Sequence, residues 1–148
     1  MSRWLASLLS LVTCGAVAQS TGGVYIAGSG FDFPHVAERA LAQNPQSRFY
    51  LLAVGDAVRY LSLTAPEEMV EARRQVARGD VVFLVCQRDL DSGPYRLHDL
   101  VPGVVAVRGW PPPGSNALPA NEKYYPDEDQ ANLPTSTELL RRLRATCS

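Results

Sequence analysis

Cysteine and histidine are scarce in this sequence, whose 148 residues include 3 Cys and 2 His. So few cysteines cannot build a disulfide-dense scaffold, and they cannot form a structural zinc site without further ligands. Charge of either sign is also not in excess, because the formal net charge is −1 at pH 7. A chain so close to neutrality lacks the electrostatic footprint of a protein that binds nucleic acid or an anionic membrane.

Two catalytic fingerprints are missing. The sequence contains no Gly-x-Ser-x-Gly elbow, so a hydrolase of that type has no support. The turn Gly28-Ser29-Gly30 resembles half of a dinucleotide-binding fingerprint, but it lacks the third glycine at the right spacing and has no acidic residue at the expected end of the second strand. We therefore interpret it as a tight strand-to-helix turn, and we predict no cofactor and no metal site.

The first 18 residues have the pattern of a secretory signal peptide. Arg3 precedes an apolar run over residues 4–12 that is too short to span a bilayer, and small residues end at Ala18. We predict cleavage after Ala18 and export of residues 19–148 to the periplasm of a bacterium, or secretion. A lipid on Cys14, preceded by an imperfect lipobox, is the alternative. No later stretch is apolar and long enough to predict a transmembrane segment.

Four short apolar runs predict buried strands, since each lacks clean alternation and ends in turn residues. The runs cover residues 24–27, 49–54, 81–85 and 104–107. Helical patterns lie between the first three runs, which predicts parallel strands joined by crossovers. The expected fold is a three-layer α/β sandwich, flavodoxin-like, with a mostly parallel sheet of four or five strands.

Capping residues predict where the helices begin. Asp32 can cap the first helix, and Thr64 with Glu67 forms a capping box for the second. At most a short helix fits between the third and fourth strands. The rest of the single domain 19–148 is interpreted as a proline-rich arm over 111–134 and a C-terminal helix over 135–146, which begins near Thr135.

The carboxyl ends of parallel strands form the edge at which ligands bind in such sheets. Cys86 ends the third strand, where backbone N–H groups favour a thiolate, so it is the candidate reactive residue. The alternative is that Cys86 is a small buried apolar residue. Further candidate binding residues for the same edge are Gly28, Ser29, Gly30, Asp56, Arg88, Arg108 and Trp110. An oxidising compartment would also permit a disulfide between Cys86 and Cys147.

The segment VVFLVCQRDL (81–90), followed by LHDLVPGVVAVRG (97–109), resembles the core of the DsrE/DsrF-like family. In that family an apolar strand ends in a cysteine, and an Asp-Leu-x-Pro-Gly-Val segment precedes the next strand. The resemblance extends over about residues 23–109. It implies a small three-layer α/β fold that tends to oligomerise, with a cysteine at the place of Cys86 that carries sulfur as a persulfide. Export, the proline-rich arm and Cys147 depart from the family pattern.

Two functions follow as hypotheses. The first is a non-enzymatic or accessory role, in which the exported protein binds a protein partner in the bacterial envelope, with the arm and its aromatic residues as the contact. The alternative is a sulfur carrier, a sulfurtransferase-like protein or a redox thiol protein that acts through Cys86. A disulfide between Cys86 and Cys147 would remove the reactive thiol from the resting state.

Overall fold

The structure, a computed structural model, describes residues 23–111 and 123–148. Within them the chain forms four strands, β1 (Val24–Ala27), β2 (Phe49–Ala53), β3 (Val81–Cys86) and β4 (Val105–Val107). The helices are α1 (Phe33–Gln43), α2 (Glu67–Val76), α3 (Gln87–Ser92) and α4 (Thr137–Thr146). Short 3₁₀ segments cover Gly55–Leu61, Leu97–Asp99 and Gln130–Asn132.

The four strands form one sheet in the order β1-β2-β3-β4, and every pairing is parallel. The predicted α/β class with a parallel sheet of four strands is confirmed, and each predicted strand is present to within one residue. The predicted signal peptide, the lipidation alternative at Cys14 and residues 112–122 of the arm lie outside the described residues.

Both faces of the sheet are buried, which explains why the strands read as continuous apolar runs. Alternate strand residues point to opposite faces. One face packs against α1, α2 and the segment Gly55–Leu61. The opposite face packs against Leu133 and against Leu143 and Cys147 at the end of α4. Helices on both faces are compatible with the predicted three-layer sandwich.

Asp32 caps α1 as expected, because its carboxylate accepts a hydrogen bond from the backbone N–H of His35 at 3.4 Å. The capping box of Thr64 and Glu67 was wrong. Helix α2 begins at Glu67, directly after Pro66, and no side chain caps it. Proline disfavours the helical region for the residue before it, here Ala65, which favours a start of α2 after Pro66. The Thr64 hydroxyl instead lies 3.0 Å from the Ser62 hydroxyl.

The C-terminal helix is present, but it begins two residues later than the predicted Thr135. Ser136 is its cap and accepts a hydrogen bond from the N–H of Leu139 at 3.4 Å. Thr135 and Ser136 both carry a hydroxyl that can cap a helix. Local sequence could not distinguish these two neighbours. In the part of the chain that the structure describes, no helix is long and apolar enough to cross a membrane.

Candidate functional site

Cys86 ends β3 and is bonded to Cys147, which follows α4. The two Cα atoms are 5.1 Å apart across a sequence separation of 61 residues. Both residues are buried, with 0% of Cys86 and 3% of Cys147 exposed. The disulfide is compatible with an extracellular location. In this state Cys86 offers neither a thiol nor a thiolate. Because Cys86 ends β3 and Cys147 follows α4, the disulfide holds α4 against the sheet.

The turn after β1 is a tight connection between strand and helix. Gly28, Ser29 and Gly30 have φ angles of +107°, +53° and +91°. The N–H of Gly28 donates to the carbonyl of Phe31 at 2.7 Å, and the N–H of Phe31 donates back to Gly28 at 3.1 Å. A Cβ atom on Gly28 would lie 2.2 Å from the carbonyl oxygen of Val54, so glycine is required there.

The predicted binding residues do not form one site. Ser29 and Arg88 line a cavity beside β1, whereas Asp56 lines a second cavity beyond the carboxyl ends of β2 and β3. Arg108 and Trp110 belong to the segment after β4 and contact the C-terminal part of the chain. The order of the four strands contains no reversal, so they do not form the crevice that a flavodoxin-type reversal produces.

The cavity beside β1 has a volume of about 550 Å³ and wraps around the outer edge of the sheet. Its described lining residues come from β1 and the turn that follows it, from α1, α3 and α4, and from Val54 directly after β2. Three arginines line it: Arg39 of α1, Arg88 of α3 and Arg142 of α4. The aromatic ring of Phe31 lies at the same cavity, and 61% of that residue is exposed. This combination was not found from the sequence, since its residues are far apart along the chain.

The electrostatics of this cavity are one-sided. None of its described lining residues is Asp or Glu. Arg39 and Arg142 form no ion pair with a described residue, whereas Arg88 lies 3.8 Å from the carboxylate of Asp89. Arg88 also donates to a main-chain oxygen of Ser148, so Arg39 and Arg142 are the two guanidinium groups at this cavity without an ionic partner among the described residues. The arrangement suits a ligand that carries negative charge, because guanidinium groups pair well with carboxylates and phosphates.

A second cavity of about 310 Å³ lies where β2 and β3 end. Asp56, Arg59 and Asp89 line it, and the carboxylate of Asp89 accepts a hydrogen bond from the N–H of Gly55 at 3.1 Å. Charges of both signs line this cavity, and Asp89 already has a backbone partner. Within residues 23–111 and 123–148, no three His, Cys, Asp or Glu residues are grouped so that they could hold a metal ion.

The described parts of the arm are held by a cluster that sequence reasoning missed. Arg144 of α4 is 1% exposed, and it donates to both carboxylate oxygens of Glu128, at 3.0 and 2.5 Å. It also donates to the carbonyls of Arg108 and Lys123, at 2.9 and 2.8 Å. A basic residue in the last turn of a helix is ordinarily solvent-exposed and complements the helix dipole, so nothing local indicated the burial of Arg144.

The aromatic residues of the arm also make internal contacts. The Tyr125 ring lies between two guanidinium groups, 4.9 Å from that of Arg144 and 5.0 Å from that of Arg108. Its hydroxyl donates to the carbonyl of Gly109 at 2.7 Å, and the Tyr124 hydroxyl donates to that of Pro134 at 3.1 Å. The ring of Trp110 lies 5.9 Å from the Arg144 guanidinium. These contacts fasten the arm to α4.

Comparisons with protein-family models, with curated proteins and with solved structures found no match for this chain. The resemblance to the DsrE/DsrF-like family therefore stays a hypothesis that rests on the two segments around Cys86.

Proposed function

We propose that this protein is an exported binding domain with an accessory, non-enzymatic role in the bacterial envelope, and that its protein partner presents negative charge to the cavity beside β1. The observation that carries the proposal is the cavity itself. It combines Arg39, Arg88 and Arg142 with an exposed ring, Phe31, and with no acidic residue among those described. Such a surface, apolar at its base and fringed with arginine, is typical of recognition sites for partners.

The state of the cysteines supports a binding role over a chemical one. Cys86 was the candidate nucleophile, and its sulfur is buried in a bond with Cys147. Disulfides of this kind are typical of proteins in oxidising compartments, in agreement with the signal pattern over residues 1–18. A domain stapled in this way presents a stiff surface, and a stiff surface loses less entropy when a partner binds.

A photo-cross-linker tests this role in the native compartment. Phe31→benzoylphenylalanine places the reactive group in the cavity, and Leu63→benzoylphenylalanine is a matched control, because the two parent residues are 61% and 59% exposed. We expect a discrete adduct with an envelope protein from position 31 and none from position 63. The adduct should be lost when Arg39→Gln and Arg142→Gln are added.

A second pair of substitutions tests whether loss of net charge alone removes the adduct. Arg74→Gln with Arg141→Gln changes net charge equally, at exposed residues that do not line the cavity. The adduct should survive this control pair. Equal adducts at positions 31 and 63, or an adduct that persists after loss of Arg39 and Arg142, would contradict the proposed function.

The alternative function is sulfur transfer or redox chemistry through Cys86. The position of Cys86 at the carboxyl end of β3 favours it, since the resemblance implies a persulfide cysteine there. A dithiol reductant must first reduce the disulfide and release the Cys86 and Cys147 thiols. Intact mass after alkylation distinguishes the two functions. No label before reduction supports the stapled domain, whereas two labels, or one label and an added sulfur atom, support the alternative.

A further inference from the structure

Strand β1 lies at the edge of the sheet, and its backbone bonds to β2 on one side only. The carbonyls of Gly23 and Ala27 accept hydrogen bonds from the N–H groups of Tyr50 and Val54, at 3.0 and 2.9 Å. In a parallel pair, alternate residues bond to the neighbour, and the residues between them face the other way. The peptide groups of Val24 and Ile26 therefore face away from β2, and no described residue pairs with them.

The same turn that ends β1 limits this edge. The two hydrogen bonds between Gly28 and Phe31 occupy the next outward-facing peptide group, so the unpaired edge stops at Ala27. Val24 and Ile26 both line the cavity described above. An unpaired edge this short has room for only a few backbone hydrogen bonds. Of its two outward-facing residues, Val24 is 4% exposed and Ile26 is half-buried, so the cavity is where these peptide groups can be reached.

The arginines lie on both sides of this edge. Arg39 belongs to α1, which packs against one face of the sheet, and Arg142 belongs to α4, which packs against the other. A further strand beside β1 would point successive side chains to opposite faces. Two consecutive acidic residues in that strand would thus place one carboxylate towards Arg39 and the next towards Arg142.

We propose that the partner contributes an extended peptide segment with consecutive acidic residues, and that this segment adds to β1 as a fifth strand. This inference rests on the proposed function and states how its partner is recognised. Hydrogen bonds from Val24 and Ile26 hold the backbone of the segment, as in other complexes that extend a sheet edge, and the arginines select the acidic side chains. A second copy of this chain is the less suitable occupant, because pairing two β1 edges would bring six arginines together.

A defined peptide tests the inference on the disulfide-intact protein, residues 19–148. The probe has four consecutive Glu residues flanked by Val and Thr, and the control replaces each Glu with Gln. Fluorescence anisotropy gives the dissociation constant, and amide exchange by NMR reports on the backbone. The acidic peptide should bind at least tenfold more tightly than the Gln control, and binding should slow exchange at Val24 and Ile26.

N-methylation of the peptide separates strand addition from simple charge attraction. N-methyl groups on two consecutive central residues remove an N–H donor from each edge of the peptide backbone. N-methyl groups on the two terminal residues leave the central N–H donors intact. Since each lost hydrogen bond weakens binding by several-fold, central methylation should weaken it by about tenfold or more. Terminal methylation should change it by less than about threefold on the same scale.

Variants of the protein test whether the peptide binds in the cavity. Arg39→Gln with Arg142→Gln should weaken binding about tenfold, because two charge-assisted contacts are lost. The matched pair Arg74→Gln with Arg141→Gln should leave it nearly unchanged. Circular dichroism confirms that both variants remain folded. Arg88 is not substituted in these variants, because it donates a hydrogen bond to a main-chain oxygen of Ser148 and its loss could disturb the fold.

The outcomes distinguish the inference from the proposed function. Binding that depends on Arg39 and Arg142 but not on central methylation would overturn strand addition and leave an anion-binding cavity, so the proposed function would stand. If the acidic peptide does not bind at about 1 mM, the weak end of specific affinity, the inference is overturned. The cross-linked adduct at position 31 would then decide the proposed function by itself. Self-association through β1 would overturn the acidic-peptide inference in favour of a second copy.

Discussion

Arg144 and Glu128 form a buried ion pair in which both oxygens of the carboxylate accept hydrogen bonds from the guanidinium. Their side chains are 1% and 3% exposed. The remaining donors of Arg144 reach the backbone carbonyls of Arg108 and Lys123, so the charge is compensated on several sides. Through these contacts Arg144 joins α4 to the segment after β4 and to the described residues 123–134 of the arm.

The first prediction concerns that pair. Glu128→Gln should lower the free energy of unfolding by about 3–5 kcal/mol, because it leaves the Arg144 charge buried without its partner. Urea denaturation followed by circular dichroism measures the change. Arg141→Gln is the control, since Arg141 lies on the same helix but pairs with Glu138 at the surface, and it should cost less than about 0.5 kcal/mol.

Replacing both partners tests the cause of that loss. Arg144→Met with Glu128→Leu removes the buried charges together, and such replacements are often neutral in other proteins. Here the carbonyls of Arg108 and Lys123 would lose their donor, so we expect only partial recovery. A Glu128→Gln variant as stable as the wild type would show that the pair does not hold the arm.

The second prediction concerns the disulfide. Cys86→Ala with Cys147→Ala should lower the free energy of unfolding by about 4 kcal/mol, the value that loop entropy gives for a cross-link between residues this far apart. Since both residues are buried, the native protein should also resist dithiothreitol and take up no alkylating label until denaturant is added. Rapid reduction of the folded protein would instead indicate a disulfide that opens in function.

The third prediction concerns pH. Hydrogen bonds from Arg108 lower the pKa of Asp127 below its usual range, with an N···O distance of 2.6 Å. A depressed pKa stabilises the fold above the ordinary carboxyl pKa, and this contribution is lost as pH falls through the lower folded value. Stability should therefore decline below about pH 4, and the decline should be smaller in Asp127→Asn.

NMR titration of the Asp127 carboxyl measures that pKa directly. Arg108→Gln should raise it towards the ordinary value, because the guanidinium is the largest cause of the shift. An Asp127 pKa that is unchanged in Arg108→Gln would contradict the assignment.

The fourth prediction concerns the turn beside the cavity. Gly28→Ala should destabilise the protein by about 3 kcal/mol or more, because the new Cβ would collide with the Val54 carbonyl in an already strained conformation. Gly30→Ala should cost only about 1–2 kcal/mol, since φ is again positive but nothing lies within 4 Å. Thermal unfolding compares the two, and equal losses would show that backbone strain outweighs the collision.

Local patterns in the sequence were sufficient for the strands and for the start of α1. Runs such as residues 81–85 have no polar face, so they can only be strands covered on both sides. Asp32 caps α1 because the cap depends on residues within one turn. The failure at Thr64 was also local, since Pro66 disfavours a helical conformation for Ala65 and so an earlier start of α2.

The candidate site depended on contacts that no local pattern specifies. The sequence alone permitted a bond between Cys86 and Cys147, but only packing of α4 on the sheet brings their Cα atoms to 5.1 Å. The same packing buries Arg144, which a helix pattern would place in water, and brings Arg142 to the cavity that Arg39 also lines. The sequence by itself determined the strands and helices, because their hydrogen bonds and their hydrophobic periodicity are short-range. Only the tertiary structure decided the disulfide, the buried ion pair and the unpaired edge of β1. Each of these depends on residues that are far apart in the sequence and that only the folded sheet positions.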